Sequence, residues 1–253
     1  MSCRAAWRAT PSAPTGRLLV SALLGGGLFG CPELTPCDPV DEGAQLGAEL
    51  FVGDATDSEL GCAGRVTFFD EVEIELSSRV EVVGLDPGRP NLRVEVFVDD
   101  GVEAGCEDFF SAVDISVESG RLLIRPGAFG IEGSPPQYRF RVRVPEIQTV
   151  AAAAGSCVDV RAPAGRQLGI DARFRSRVRV VSGASALSSR TSFSGCIDAR
   201  SVSTESAEVR GEGEGRVFLC EPEDQLSVRL DGEATVQVVD RPCPVDPDFA
   251  CAD

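Results

Sequence analysis

The stretch GSCVDV at 155–160 and the stretch SGCIDA at 194–199 contain a cysteine, a β-branched residue and an aspartate in the same order. Segments in the same register begin at successive steps of 20, 19, 20 and 19 residues, the others being RSRVRV at 175–180, EGRVFL at 214–219 and EATVQV at 233–238. An internal period of this length is typical of a solenoid, in which each period adds one turn to a stack.

Within each segment, two kinds of side chain alternate. The second, fourth and sixth positions are small or aliphatic and the third and fifth are mostly polar, which indicates half-buried strands with the first set facing inward. A second strand precedes each later segment, in LGIDARF (168–174), LSSRTSF (187–193), AEVRG (207–211) and LSVRLDG (226–232). Its predicted inward residues include Phe174, Leu226, Val228 and Leu230.

These periods predict the fold class. We expect an all-β chain, a right-handed parallel β-helix or β-solenoid with about 19–20 residues per turn, preceded by further β-strands. An antiparallel sandwich is the alternative for short alternating strands, but hairpins do not require a fixed period.

The first thirty residues have the features of an export signal. Arg4, Arg8 and Arg17 precede an apolar run at 18–30, which at 13 residues is shorter than the roughly 20 that a membrane-spanning helix needs. The junction Leu28-Phe29-Gly30-Cys31 resembles the bacterial lipoprotein signal, which implies lipid attachment at Cys31 and a membrane partner through that lipid. Ordinary cleavage near Gly30 is the alternative. We predict an exported outer-membrane lipoprotein that faces the periplasm or the cell surface.

The rest of the chain divides into three parts. Residues 31–63 are acidic, rich in Gly and Pro, and predicted to be a tether. Residues 64–242 are the predicted solenoid domain, and 243–253 a cysteine-containing tail.

Cysteine usage agrees with export. Cys3 lies in the signal, and eight cysteines besides Cys31 are disulfide candidates: Cys37, Cys62, Cys106, Cys157, Cys196, Cys220, Cys243 and Cys251. Equivalent positions two turns apart are separated by roughly 9.6 Å, beyond the ~7 Å limit between bonded Cα atoms, so Cys157 and Cys196 should not bond to each other. Cys243 can meet Cys220 on the adjacent turn, or Cys251 within the tail.

Composition excludes several functions. The formal net charge is −16, so we expect no nucleic-acid partner. Histidine and lysine are absent, which rules out Ser-His-Asp and Cys-His pairs, His-ligated metal, Schiff bases and a phosphate-loop lysine. No CxxC pair occurs. We therefore predict a protein without enzymatic activity, catalytic residues, metal site or cofactor; its oligomeric state is left open.

A family resemblance covers roughly 64–242. RVTFFDEVEIEL, VDISVESGRLLIRP and FRVRVPEIQTVAAAAGSCVDV are similar to the strands that lead into the repeated Gly-Ser turns of the auto-transporter adhesin head GIN domain family. Here the turns read AGSC, FRSR, FSGC, EGEG and DGEA. The resemblance implies a β-helical exported domain of unknown function, with no catalytic residues to carry over.

Two functional classes follow. The first is a non-enzymatic cell-envelope lipoprotein, an adhesin-like or structural module that binds an extracellular or envelope macromolecule. The alternative is a carbohydrate-active β-helix enzyme resembling polysaccharide lyases. Exposed aromatic residues would favour the alternative, but Trp7 lies in the signal, Tyr138 is the one tyrosine and most phenylalanines fit inward positions. Acid pairs such as Asp99-Asp100 and Glu107-Asp108 are expected to be solvated loop charges.

Two charged features leave alternatives open. The acidic loop at 99–108 is a candidate for calcium-stabilised folding. Outward arginines can form a stripe for an anionic glycan, or pair with acids on neighbouring turns, which is the usual arrangement on a sheet. These arginines are Arg173, Arg175, Arg177, Arg179, Arg200 and Arg216.

Overall fold

The computed structural model describes residues 45–51, 64–65, 68–84, 92–98, 109, 111–127, 138–162, 165–245 and 251. Over these residues the chain is all-β, with strands arranged in one ten-stranded and one eight-stranded sheet. The predicted signal peptide 1–30, the lipid attachment site Cys31 and the acidic loop 99–108 lie outside the described residues. So do three of the disulfide candidates, Cys37, Cys62 and Cys106.

The N-terminal half supplies strands of both orientations. They are β1 (Gln45–Phe51), β2 (Gly64–Arg65), β3 (Glu71–Ile74), β4 (Arg79–Gly84), β5 (Arg93–Val98), β6 (Val113–Glu118), β7 (Arg121–Pro126) and β8 (Tyr138–Val144). β1 pairs antiparallel with β5, β5 with β8, and β6 with β7. β1 lies inside the segment predicted to be a tether, and its pairing with β5 makes this part of the segment a strand of the ten-stranded sheet.

The C-terminal half alternates strictly between the two sheets. β9 (Thr149–Ala152), β11 (Gln167–Arg173), β13 (Ala186–Ser192), β15 (Ser206–Gly211) and β17 (Gln225–Leu230) follow one another in the eight-stranded sheet. β10 (Cys157–Arg161), β12 (Arg177–Ser182), β14 (Cys196–Ala199), β16 (Arg216–Cys220) and β18 (Thr235–Val239) do so in the ten-stranded sheet. All these neighbours are parallel, so each circuit of the chain adds one strand to each sheet.

The register of these strands is the one that the sequence period predicts. Val158 is opposite Val178, Val178 opposite Ile197, Ile197 opposite Val217, and Val217 opposite Val236. Equivalent residues of the repeat are therefore neighbours in the sheet. Because side chains alternate between faces, this register keeps every small or aliphatic position on the same face.

A single hydrophobic core joins the inner faces of the two sheets. Val158, Val178 and Ile197 of one sheet and Val150 of the other are each 0% exposed, and Ile170 is 2% exposed. All of them belong to one cluster of buried residues. The core extends into the N-terminal half of the chain, because β3 pairs with β9 and β4 with β10.

The predicted inward orientation is wrong for Phe174. Its side chain is 52% exposed, because Phe174 lies one residue beyond β11 and has a positive φ of 51°. A left-handed backbone conformation turns the chain away from the pleat of the strand, so the alternation between faces ends at Arg173.

The last circuit also departs from the prediction. Leu226, Val228 and Leu230 were expected to be buried, and they are 39%, 43% and 42% exposed. They occupy the same register as Ala207 and Val209 of the preceding strand, which are 5% and 0% exposed. In the described part of the chain no further strand follows β17 in its sheet, so these side chains lack the neighbour that covers every earlier circuit.

Candidate functional site

Two disulfides fix the C-terminal tail to the ten-stranded sheet. Cys220 is bonded to Cys243, as the spacing allowed, with 5.4 Å between the Cα atoms. Cys251 does not fold back onto Cys243 but is bonded to Cys196, with 5.9 Å between the Cα atoms. Cys157 is also disulfide-bonded. The tail thus returns from the last circuit toward β14, and Cys157 and Cys196 are not bonded to each other.

The outer face of the ten-stranded sheet consists of ion pairs between arginines and acids. Asp159 accepts hydrogen bonds from Arg79 at 2.8 Å and from Arg179 at 2.9 Å. Asp198, at a position predicted to face outward, is 2% exposed and receives two hydrogen bonds from Arg200, each 2.9 Å long. The guanidinium groups of Arg179 and Arg200 are therefore engaged by carboxylates rather than forming a free cationic stripe.

A corresponding network crosses the eight-stranded sheet. Glu73 accepts hydrogen bonds from Arg121 and Arg173, both 2.9 Å long. Burial alone would raise the pKa of Glu73, but the hydrogen bonds and positive charges of Arg173 and Arg121 together outweigh it and hold this pKa below its ordinary value. Asp171 lies 3.4 Å from Arg173, and burial raises its pKa despite that contact.

These opposite shifts predict opposite pH effects on stability. Glu73, whose pKa is lowered by folding, stabilises the protein above its unfolded pKa, and this contribution is lost as pH falls through the folded pKa. Glu73→Gln is expected to remove about 2 kcal/mol from the free energy of unfolding at pH 7, with a smaller difference from the parent at pH 3. Asp171→Asn is the matched control. The pKa of Asp171 is raised by folding, so its substitution should leave stability at pH 7 unchanged or increased. Urea unfolding at both pH values measures each effect; a Glu73→Gln deficit that is equal at pH 7 and pH 3 would contradict the assignment.

The most distinctive exposed feature is a pair of stacked phenylalanines, Phe174 and Phe193, which we call the aromatic corner. The ring centroids are 4.8 Å apart and the planes differ by 4°. Phe174 is 52% and Phe193 65% exposed. They occupy the same position in two successive circuits, where the chain leaves the eight-stranded sheet and enters the ten-stranded one.

The backbone at this position explains why phenylalanine is unusual there. The column of equivalent residues is Ala154, Phe174, Phe193, Gly213 and Gly232, with φ values of 56°, 51°, 50°, 65° and 73°. Left-handed backbone costs a side-chain-bearing residue roughly 1–2 kcal/mol, and glycine avoids this cost. Two circuits therefore carry a large apolar side chain in a strained conformation and expose it to solvent, a combination typical of a functional constraint.

Polar groups flank the aromatic corner. Ser194, which follows Phe193 with a φ of 65°, donates a hydrogen bond to Glu214 of the next circuit at 2.7 Å. Arg175 follows Phe174 with a φ of 63°. The corner thus combines a stacked apolar pair with one cationic and one anionic side chain, a composition suited to binding rather than to acid–base chemistry. Sequence reasoning missed it, although the dipeptides FR and FS stand where the other turns have AG or a glycine.

A groove lies where strands of the eight-stranded sheet begin. It has a volume of about 600 Å³ and is lined by Gln148, Thr149, Arg166, Gln167, Gly169 and Ser188, among others. Arg166 is paired with Glu146 at 2.8 Å. This lining offers amides, hydroxyls and one ion pair. Among its described residues there is no pair of carboxylates of the kind that glycoside hydrolysis requires.

The described residues contain no group of three or more metal-ligating side chains. Among those same residues, no helix has the length and apolar character that crossing a membrane requires.

Comparisons with known proteins give only distant likenesses. No family model and no curated protein matches the chain. A "putative adhesin" from Bacteroides fragilis NCTC 9343 superposes with a TM-score of 0.47 at 11% identity, over 69% of this chain and 94% of its own. A "putative adhesin" from Parabacteroides merdae ATCC 43184 gives 0.38 at 11% identity, over 69% and 93%. A "putative lipid binding protein" from Parabacteroides distasonis ATCC 8503 gives 0.36 at 16% identity, over 69% and 94%. Superpositions at this level do not establish a shared function.

Proposed function

We propose that the protein is a non-enzymatic, adhesin-like module of the bacterial cell envelope, which binds another macromolecule through the aromatic corner. In this proposal residues 1–30 direct export, Cys31 carries the lipid anchor, and the folded body faces the periplasm or the cell surface. The circuits form a right-handed β-helix of the head GIN kind, because crossovers between parallel strands of one sheet are right-handed in about 98% of cases.

The observation that carries the binding function is the aromatic corner itself. Exposed aromatic side chains are the anchors that most often dominate the free energy of association at protein surfaces. Phe174 and Phe193 hold each other in a fixed stack, so a ligand that contacts their edges does not have to order them first. Gly213 and Gly232, in the same column, adopt the left-handed conformation without the strain that it causes in phenylalanine.

The enzymatic alternative has less support. General acid catalysis by a carboxyl group needs a raised pKa and a second carboxylate across a substrate cleft. Glu73 has a lowered pKa and two arginine partners. Asp171 has a raised pKa, but its carboxylate is 3.4 Å from the guanidinium of Arg173. The exposed aromatic residues that would favour a sugar-binding site are present, but the polar groups beside them are Arg175 and the hydrogen-bonded pair Ser194–Glu214, not two carboxylates.

Binding is tested with the full chain carrying a tag after Asp253, incubated with isolated bacterial envelopes. Phe174→Asn/Phe193→Asn is expected to reduce the retained fraction at least tenfold, since losing an aromatic anchor typically costs more than 1 kcal/mol. Asparagine tolerates the left-handed conformation, so the melting temperature should stay within a few degrees of the parent. Phe68→Asn is the matched control, because Phe68 is 58% exposed and lies outside the corner.

Equal retention of the double variant and the parent would refute binding through the corner. Release of unsaturated products from polygalacturonate would instead favour the lyase alternative. Protease treatment of intact cells distinguishes the two orientations, because a surface-facing tag is cleaved and a periplasmic one is protected until the outer membrane is opened.

A further inference from the structure

The end of the two sheets formed by the last circuit, β17 and β18, carries exposed apolar side chains, and we call it the open end. β17 is the last strand of the eight-stranded sheet and β18 the last of the ten-stranded sheet. Leu226, Val228 and Leu230 of β17 are 39–43% exposed, and Val238 of β18 is 36% exposed. These side chains face inward in register with buried residues of the preceding circuit, so the open end is a cross-section of the hydrophobic core.

The described ends of the chain lie away from the open end. β1, the first described strand, and β2 are at the opposite edge of the ten-stranded sheet. After β18, the disulfide from Cys243 to Cys220 returns the chain by one circuit, and that from Cys251 to Cys196 returns it by two. Cys243 and Cys251 are thus bonded to earlier circuits and not to the last one.

We propose that the open end binds the open end of a second copy of this chain across a two-fold axis. β17 and β18 each present one unpaired strand edge at the open end. A two-fold axis perpendicular to the sheets would pair each edge antiparallel with the same edge of the second copy. Both sheets then continue into the second copy, and the apolar cross-sections cover each other.

The sequence of β17 fits one register of this pairing. With Val228 opposite Val228 of the second copy, Leu226 is opposite Leu230, and all three side chains stay on the inner face. Arg229 is then opposite Ser227, on the outer face. Shifting the register by two residues in one direction would place Arg229 opposite its own copy, where like charges repel.

The same axis suits β18. Val228 lies three residues before Asp231, and Gln237 three residues after Ala234, so the two are equidistant from the turn at 231–234. An axis through Val228 therefore also passes near Gln237. Gln237 then faces Gln237 of the second copy on the outside, while Val236 faces Val238 on the inside.

This geometry is tested by disulfide trapping of the full chain in envelopes. Gln237→Cys places two thiols on directly opposed residues, within the ~7 Å between Cα atoms that a disulfide spans, and is expected to give a covalent dimer on a non-reducing gel. Thr235→Cys is the matched control on the same face of the same strand. Its two copies would be four residues apart along the strand, about 13 Å, and should not cross-link.

The mass of the solubilised full chain in sedimentation equilibrium gives a second readout. We expect a dimer, with a dissociation constant raised at least tenfold by Val228→Glu and little changed by Ser227→Glu, whose carboxylate would meet Arg229 of the second copy. A monomer at all concentrations, equal trapping of the two cysteine variants, or cross-linking of Gln237→Cys to a different protein would each overturn the proposal. Ligand binding at the aromatic corner is independent of all three outcomes.

Discussion

Gly195→Ala is expected to lower the free energy of unfolding by about 3–4 kcal/mol, a loss comparable to that from the most damaging core substitutions. Gly195 is the second residue of the segment SGCIDA, directly before β14. A Cβ atom there would collide with the carbonyl oxygen and carbon of Ala172, which are backbone atoms of β11. Because backbone atoms of two sheets cannot move apart without separating the strands, the collision must be relieved by displacing a whole circuit.

Gly169→Ala is the matched control for this prediction. Gly169 is also in β11, and its added Cβ would meet the Thr149 hydroxyl at 3.3 Å, a side-chain contact that small shifts can relieve. Urea unfolding of both variants should show a loss below about 1 kcal/mol for Gly169→Ala. Similar losses for the two variants would mean that the close approach at Gly195 is not present in solution.

Removing the disulfide between Cys196 and Cys251 is expected to cost about 4 kcal/mol. The bond closes a loop with a sequence separation of 55 residues, and the entropy of the unfolded chain rises with the logarithm of that length when the bond is lost. The double variant Cys196→Ala/Cys251→Ala avoids leaving a free thiol. Its unfolding midpoint in urea, under oxidising conditions, measures the effect.

The other tail disulfide supplies the comparison. Cys220→Ala/Cys243→Ala opens a loop with a separation of 23 residues, for which the same relation gives about 3.5 kcal/mol. Cys196, Cys220 and Cys251 are 1%, 2% and 0% exposed, whereas Cys243 is half-buried, so lost packing adds to the larger entropic loss expected for Cys196→Ala/Cys251→Ala. A smaller loss for the longer loop would show that the tail stays attached to β14 through packing alone.

The repeating part of the fold is predictable from sequence because parallel ladders place equivalent residues side by side. Val158, Val178, Ile197 and Val217 recur at the same spacing that separates strand partners, so the period alone gives the register. The N-terminal half lacks such a period. β1 forms because it pairs antiparallel with β5, more than forty residues away, and no local pattern in its sequence indicates that pairing.

The candidate site was less predictable, for reasons of local geometry. Alternation predicts which face of the sheet a side chain points to only within a strand, and Phe174 lies one residue beyond the end of β11. The same alternation correctly predicts that Leu226 and Val228 face inward. Their burial would also require a further strand beside β17, and the sequence of β17 does not indicate whether such a strand follows. The choice of Cys251 as the partner of Cys196 depends on the path of the tail through space.

The constant register between circuits restricts how such a chain can vary during evolution. An insertion or deletion of a few residues within β11–β16 would shift every later strand against its neighbour, and an odd shift would turn the core valines outward. After the duplication or loss of one whole period, each residue still contacts an equivalent residue in the neighbouring circuit. Genes of this kind are therefore expected to differ in length by multiples of 19–20 codons, and each such step would change the height of the stack by one strand spacing, about 4.8 Å.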